Sequence, residues 1–250
     1  MSRKSPSYHD KASRWSKVSQ DYEHVEFSFT SFAEKRDLVV NAIKPSFVAE
    51  LGCGSLGLLL KNISSKPGIQ ATACDFCLDM LRETRKKLRN INNINYLAAD
   101  NCNLPIQSGS IDTVISINSI LPENRSDIDL MFAEITRVLS PKGRLIAVLP
   151  AFEMSPIAKQ HWGMVLEIDI DGHREYDSAI GSWQCFYTEA DITELMERHK
   201  FRRFSVEPVI FDSPAEVEHI LEVYGTAIPS AARNQLYKYP LFEHFLVGDK

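Results

Sequence analysis

The chain lacks any apolar run long enough to cross a bilayer, any long basic tract and any cysteine set at zinc-ligand spacing. Its 250 residues carry 28 Lys and Arg against 33 Asp and Glu, a formal net charge of −5. That balance disfavours nucleic acid as a substrate, because phosphate backbones call for a positive counter-surface. The nearest thing to a basic patch, Arg82, Arg85, Lys86, Lys87 and Arg89, falls on an expected helix and reads as a solvated face. The 5 cysteines are odd in number, so no disulfide framework is expected. Cys74 and Cys77 form C-x-x-C but straddle a turn, and buried thiols fit them better than a redox pair. A soft-ligand thiol site with Cys53 and Cys102 is the weaker alternative, and no metal is expected. No signal-peptide pattern and no internal repeat are seen. The expectation is one sizeable domain, cytoplasmic and without membrane contact.

What is present is sharpest at Val48-Ala49-Glu50-Leu51-Gly52-Cys53-Gly54-Ser55-Leu56-Gly57. An apolar strand ends in a glycine-rich turn, after which Leu58, Leu59, Leu60 and Ile63 begin a helical pattern. Glycines at such a turn let a ligand lie against bare peptide groups at the carboxyl end of a strand. The spacing alone leaves two readings. Gly52-x-Gly54-x-x-Gly57, with Asp75 further on, fits a dinucleotide fingerprint and a nicotinamide dehydrogenase. Glu50-x-Gly52-x-Gly54 fits motif I of the class I S-adenosylmethionine methyltransferases.

The segments that follow favour the second. Ile69 to Asp75 is a strand ending in an acid, and Asp75 through Leu81 resembles the family's D-x-S-x-x-M-L segment. Tyr96-Leu97-Ala98-Ala99-Asp100-Asn101-Cys102-Asn103-Leu104-Pro105 resembles its G-D-A-x-x-L-P stretch. Gly109 to Ser116 is similar to its S-F-D-L-V strand, and Ile135 to Leu145 to its E-I-x-R-V-L-K-P-G-G-x-L block. The ordered set over roughly residues 46–150 resembles the "type 11" group of small class I enzymes. The chain departs from that pattern in having Glu50 where Asp is commoner, Gly57 one place late, and no histidine after the fourth strand.

The resemblance implies an α/β, Rossmann-like seven-stranded sheet, mostly parallel with an antiparallel last strand, and helices on both faces. Strands are expected at about 46–51, 69–74, 94–98, 112–117, 143–149 and 203–211, with Phe242 to Gly248 last. Residues 1–45 would form an N-terminal helical flap, and 46–250 the methyltransferase domain, with a substrate lid at about 151–187. S-adenosylmethionine would be the cofactor and S-adenosylhomocysteine the product. Gly52, Cys53 and Gly54 would present backbone to it, and Glu50 would orient that loop or reach the amino group. Asp75 would take the ribose diol, since an acid there can accept from both hydroxyls. Phe76 and Met80 would flank the adenine, and Asp100, with Asn101 and Cys102 beside it, would meet the adenine amino group. Ser116 and Asn118 would end the fourth strand near the methyl; Asn118 reads equally as a strand-end turn residue. Tyr22 sits where a family tyrosine reaches the cofactor carboxylate, while Trp15 fits flap packing as well as contact.

The acceptor side is expected in residues 8–30, 118–123 and 151–187, with Trp162, Glu167, Trp183 and Tyr187 binding the substrate and His161 as the candidate base. Asp171-Gly172 marks a hairpin turn within the lid. Thr188-x-x-Asp191 and Ser213-Pro214-Ala215-Glu216 look like helix starts, with Gly225 closing the second helix. The implied function is methyl transfer to O or N of a small molecule by in-line displacement, chiefly through positioning. The alternatives are a methyltransferase-like, non-catalytic subunit bound to a partner protein, or a methyltransferase acting on a protein side chain. A monomer or homodimer is expected.

Overall fold

Strand alternation sorts the apolar residues onto two faces. In the computed structural model, which describes residues 8–20, 22, 29–224 and 227–250, Val48, Ile115 and Ile146 join one core. Their chain neighbours Ala49, Val114 and Leu145 join the other. Both faces are therefore buried, which requires helices on each side.

The strands are β1 (Phe47–Leu51), β2 (Gln70–Asp75), β3 (Ile94–Ala98), β4 (Ile111–Ile117) and β5 (Leu139–Pro150), then the short β6 (Ile168–Asp169), β7 (Arg174–Asp177) and β8 (Ser182–Cys185), then β9 (Arg203–Phe211) and β10 (Leu241–Asp249). The main sheet is 7-stranded in the order β3-β2-β1-β4-β5-β10-β9. β1 pairs in parallel with β2 and β4, and β10 runs antiparallel between β5 and β9. Expected and observed strands agree except at β5, which begins earlier, at Leu139. It pairs there with Ile111 and slips register before Thr113 meets Arg144. Gly143 permits that slip: a Cβ on it would lie 3.0 Å from the backbone of Ser140.

Helices α2 (Ala33–Ala42), α3 (Leu58–Ser64) and α4 (Leu78–Lys87) supply Val39, Leu59, Leu60, Ile63 and Leu81 to the first core. Helices α5 (Arg125–Val138) and α7 (Glu189–Arg198) supply Ile128, Phe132, Ile135, Ile192 and Met196 to the second. The spacing of Ile128, Phe132 and Ile135 is the apolar stripe expected of an amphipathic helix. The basic cluster on and after α4 stays at the surface, with Arg82 on Asp79 at 2.7 Å and Lys86 on Glu83 at 2.5 Å.

Between β5 and α7 lie α6 (Met154–His161) and a 3-stranded sheet in the order β6-β7-β8. The turn at Asp171-Gly172 falls between β6 and β7, and β8 adds a strand that the sequence pattern does not announce. This unit is pinned to the body. His173 Nδ1 lies 2.7 Å from Asp191 Oδ2, while Arg125 donates to Asp191 Oδ1 at 2.8 Å. The His173 ring also stacks on Phe152 with centroids 4.6 Å apart. Asp191 doubles as the reciprocal cap of α7: its amide donates to Thr188 Oγ1 at 3.1 Å, and its carboxylate accepts from the Thr188 amide at 2.9 Å. Ser213 and Glu216 cap α8 (Pro214–Tyr224) in the same way; the expected stop at Gly225 lies outside the described residues. At the amino end, α1 (Tyr8–Val18) rests on α4, with the Ser16 hydroxyl bonded to Asp79 and Cys77 Sγ 3.6 Å from the Ala12 carbonyl.

Candidate active site

Strands β1, β2 and β4, with the turn after β3, end along one edge, and the loops beyond them enclose a cleft of about 1080 Å³, open solvent at its mouth included. Gly52 and Gly54 form its floor, Asp75, Phe76 and Met80 one wall, and Asp100, Asn101 and Cys102 another. Gly52 has φ +63°, and a Cβ on it would sit 2.2 Å from the Ser119 Cβ. Only glycine therefore lets the turn close against the loop after β4. Gly54 has φ +58°, with the Tyr22 ring 3.6 Å from where its Cβ would be. Gly57 faces the other way, backed by Leu88 and Thr84, and starts α3 in the left-handed region. It serves helix packing and does not line the cleft.

Asp75 is 5% exposed and ties the two loops together. Its Oδ2 accepts the Gly54 amide at 3.0 Å and its Oδ1 the Cys77 amide at 2.8 Å. Burial pushes its carboxyl up to about 6, against the pull of those two amides. Asp100 Oδ1 accepts the Cys102 amide at 2.9 Å, which shapes the β3 turn. Behind the floor, Glu50 is buried and its Oε2 has no protein donor. Burial, and then the nearby Asp75 carboxylate, raise the Glu50 carboxyl to about 8. An orphaned acid oxygen beneath a glycine cradle, with a second acid at the end of β2, fits a ligand carrying an amino group and a ribose diol. Burial likewise raises Cys53, Cys74 (to about 12) and Cys77, so these thiols stay protonated and make poor soft-ligand donors. Among the described residues no cluster of His, Cys, Asp and Glu could hold a metal.

A second cavity of about 1650 Å³, again with open solvent, adjoins the first and shares Trp15, Tyr22, Asn118, Leu121 and Gln184 with it. Its walls come from α6, the small sheet, the end of α8 and the start of β10. The Val223 and Tyr224 side chains make α8 a cap on this cavity. Trp162 is 3% exposed, lines the cavity and donates its indole N–H to the Tyr239 carbonyl at 3.1 Å. Asn118 has φ +46°, a left-handed turn at the end of β4, and its side-chain amide donates to Glu243 Oε1 at 2.6 Å. Trp15 and Tyr22 pack on each other, centroids 6.1 Å apart, at the junction.

The expected cofactor residues fall into two groups. Tyr22, Gly52, Gly54, Asp75, Phe76, Met80, Asp100, Asn101, Cys102 and Asn118 line the first cleft. Glu50, Cys53 and Ser116 lie behind it: Ser116 Oγ is 2.7 Å from Ser119 Oγ, which donates to the Leu51 carbonyl at 2.5 Å.

On the acceptor side four of the expected residues lie outside both cavities. His161 lines neither cavity; its ring stacks on Tyr239 at 3.7 Å. Glu167 is exposed. Trp183 points away because β8 alternates: Ser182 and Gln184 face the cleft, whereas Trp183 packs edge-on against Tyr176 and beside Arg174. Tyr187 is fully buried and donates its hydroxyl to the Ile120 carbonyl at 2.6 Å, a core role. The residues that sequence reasoning missed are Ser119, Ser155, Glu175 and Glu243. A glutamate beginning the terminal strand was the one available signal, and alone it reads as a solvated strand end.

The order of this sheet, with its antiparallel β10, and a ligand cleft at the carboxyl ends of the parallel strands define a class I methyltransferase fold. Residues 48–143 match the family model described as a methyltransferase domain. That match, the sheet order and the SAM-dependent methyltransferases among its structural neighbours support a class I S-adenosylmethionine-dependent methyltransferase, type 11-like. It is 29% identical over 164 residues to a malonyl-[acyl-carrier protein] O-methyltransferase of Marinomonas sp., covering 61% of this chain and 56% of that protein. It is 32% identical over 119 residues to a demethylmenaquinone methyltransferase of Thermus thermophilus, covering 47% and 50%. The chain thus spans about half the length of the curated relatives it matches. Among solved structures, a methyltransferase of Methanosarcina mazei described as SAM-dependent superposes with TM-score 0.58 at 14% identity, covering 85% of this chain and 96% of that one. No helix among the described residues is long and apolar enough to cross a membrane.

Proposed function

We propose that the chain moves a methyl group from S-adenosylmethionine to O or N of a small-molecule acceptor. The observation that carries this reading is the pair of adjoining cavities, a glycine-floored cleft at the strand ends and a lid-covered chamber, meeting at Asn118. In this reading residues 1–45 act as a flap and 151–187 as the lid of one methyltransferase domain. Asp75 takes the ribose hydroxyls, Gly52 and Gly54 admit the chain of the methionine moiety, and Glu50 balances its ammonium. Phe76 and Met80 sandwich the base, Asp100 and Asn101 read its edge, and Tyr22 reaches the cofactor carboxylate. When bound, the sulfonium supplies a methyl group already attached to a good leaving group. The protein then needs chiefly to align the nucleophile with that methyl at about 3 Å, and to exclude water beneath the lid.

The test is isothermal titration of the purified chain with S-adenosylhomocysteine, with NAD as control. Micromolar binding that Asp75→Ala weakens by about 100-fold is expected, since hydrogen bonds to a charged group contribute about 1.5–3 kcal/mol each. Tighter binding of NAD would return the turn to a dinucleotide site. Binding of the homocysteine compound with no methylated small molecule, alongside a stable hetero-complex, would favour the non-catalytic reading.

A further inference from the structure

The acceptor cavity is charged in one sense only. Among the described residues it presents the carboxyl groups of Glu175, Asp177 and Glu243, and no lysine, arginine or histidine. Asp177 is satisfied locally: Oδ1 accepts the amides of Ala179 and Ile180 at 2.8 and 3.0 Å, and Oδ2 the Gln184 amide at 3.2 Å. Glu175 Oε2 accepts from Ser155 Oγ at 2.7 Å. Glu243 is different. It sits inside the main sheet, opposite Pro150 of β5 and Val209 of β9, and is 5% exposed. One of its oxygens takes the Asn118 amide; the other, Oε2, has no partner. An acid buried this way is costly unless a donor from outside the chain completes it.

The missing group must therefore donate protons and preferably carry positive charge. An anionic acceptor would meet three carboxyl groups and no counter-charge. Much of the rest of the wall is apolar, with Met154, Ala158, Trp162, Met164 and Phe242, beside the neutral polar side chains of Asn118, Ser155, Ser178 and Gln184. Building on the methyl-transfer reading of this site, we propose that the acceptor is a primary or secondary amine on an apolar or aromatic frame, and that Glu243 holds its nitrogen and receives its proton. Asn118 lines both cavities, so its bond to Glu243 sets that carboxylate at the seam between them. An entering ammonium gives one proton to Glu243 Oε2, which frees the nitrogen lone pair. That nitrogen forms the new N–C bond as the C–S bond breaks, the bonding pair stays on sulfur, and the product leaves as the methylated ammonium. Burial, which pushes the Glu243 carboxyl up to about 7, suits a group that takes a proton near neutral pH.

The experiment uses the whole chain saturated with S-adenosylhomocysteine, titrated with phenethylamine and tryptamine and with their matched acids, 3-phenylpropionate and indole-3-propionate. Turnover with S-adenosylmethionine follows, read by mass of the product. The expected result is an amine bound at least about tenfold more tightly than its matched acid, and an N-methylated product. Glu243→Gln should lower turnover by about 100-fold, within the range of a lost general base, with homocysteine-compound affinity unchanged within about threefold. Acids bound as well as amines, no binding of either amine, or a Glu243→Gln chain with wild-type turnover overturns the inference. The amine-to-acid preference of the wild-type chain decides the matter even if the variant fails to fold. A chain that does not take up S-adenosylhomocysteine at the first step overturns the methyltransferase reading instead, so the two failures are distinct.

Discussion

The strand-end cleft and the cavity beside it, proposed for cofactor and acceptor, are built from different kinds of sequence. The floor and two walls of the cleft come from short contiguous stretches at or just after strand ends: 52–54, 75–80 and 100–102. Much of what those stretches offer is backbone, positioned by glycine conformation and by Asp75 accepting two amides. The cavity instead gathers single side chains across long separations, 125 residues in the case of the Asn118–Glu243 bond. Its chemistry lies in side chains whose meaning depends on burial. A ligand recognised through turns leaves a pattern in the chain; one recognised through tertiary placement leaves almost none.

The strongest way to break this division is a matched pair of substitutions. Gly52→Ala should cost about 2–5 kcal/mol, from a left-handed penalty of about 1–2 and overpacking against Ser119 of about 1–3. It should also abolish cofactor binding. Trp162→Ala should cost about 3 kcal/mol, the low end for a buried aromatic because one side of the indole already faces a cavity. It should leave S-adenosylhomocysteine affinity nearly intact while acceptor binding falls. Urea unfolding and titration read both. If the two variants lose cofactor affinity equally, the cavities are not separable.

The same contrast decides how much could be read beforehand. Gly52, Asp75, Phe76 and Asp100 were legible because strand-to-turn geometry is written locally, and all four line the cleft. The positions of the main-sheet strands were legible because apolar residues recur along each with turn residues after it, whereas the antiparallel last strand came only from the resemblance. The lid was not. Trp183 and Tyr187 are aromatic and near the right place, yet β8 alternation turns one away and core packing absorbs the other. His161 has the right chemistry for a base but stacks on Tyr239 and lines neither cavity. Glu243 reads in the sequence as a solvated strand end, because its charge becomes unusual only once β10 is inserted between β5 and β9.

A second contrast separates the halves by pH. Glu50 and Glu243 have carboxyls raised by burial, to about 8 and about 7. The native state therefore binds more protons than the unfolded chain above the ordinary carboxyl range. Stability should fall as pH rises from about 4.5, each group contributing up to about 1.4 kcal/mol per pH unit. Glu243→Gln should remove the part of that slope that ends near 7, and Glu50→Gln the part that continues toward 8. Asp249 works in the opposite sense. Arg144 and Lys44 hold it down to about 2, so its contribution is full above the usual aspartate value and is lost as pH falls toward 2. Melting curves of the ligand-free chain across pH 4 to 9 check the sign; a flat profile for the wild type would show that water reaches both glutamates.

The smallest expected effect lies where the two halves are fastened together. Arg14 on α1 donates to Glu123 Oε1 at 2.9 Å, in the loop after β4, and to the Gly181 carbonyl at 3.1 Å, in the lid. One side chain thus bridges α1, the loop after β4 and the turn before β8 across the cleft mouth. The pair is partly solvated, at 27% and 20% side-chain exposure, so Arg14→Ala should cost no more than about 1 kcal/mol of stability. Its kinetic consequence should be of similar size. With the bridge gone, flap and lid can separate without breaking a charged contact, and bound S-adenosylhomocysteine should dissociate about three- to fivefold faster, the equivalent of about 1 kcal/mol. Stopped-flow displacement measures that rate. An unchanged rate with a lowered melting temperature would make Arg14 a stabilising surface contact and leave Trp15 and Tyr22, packed at the junction, as the groups that close the site.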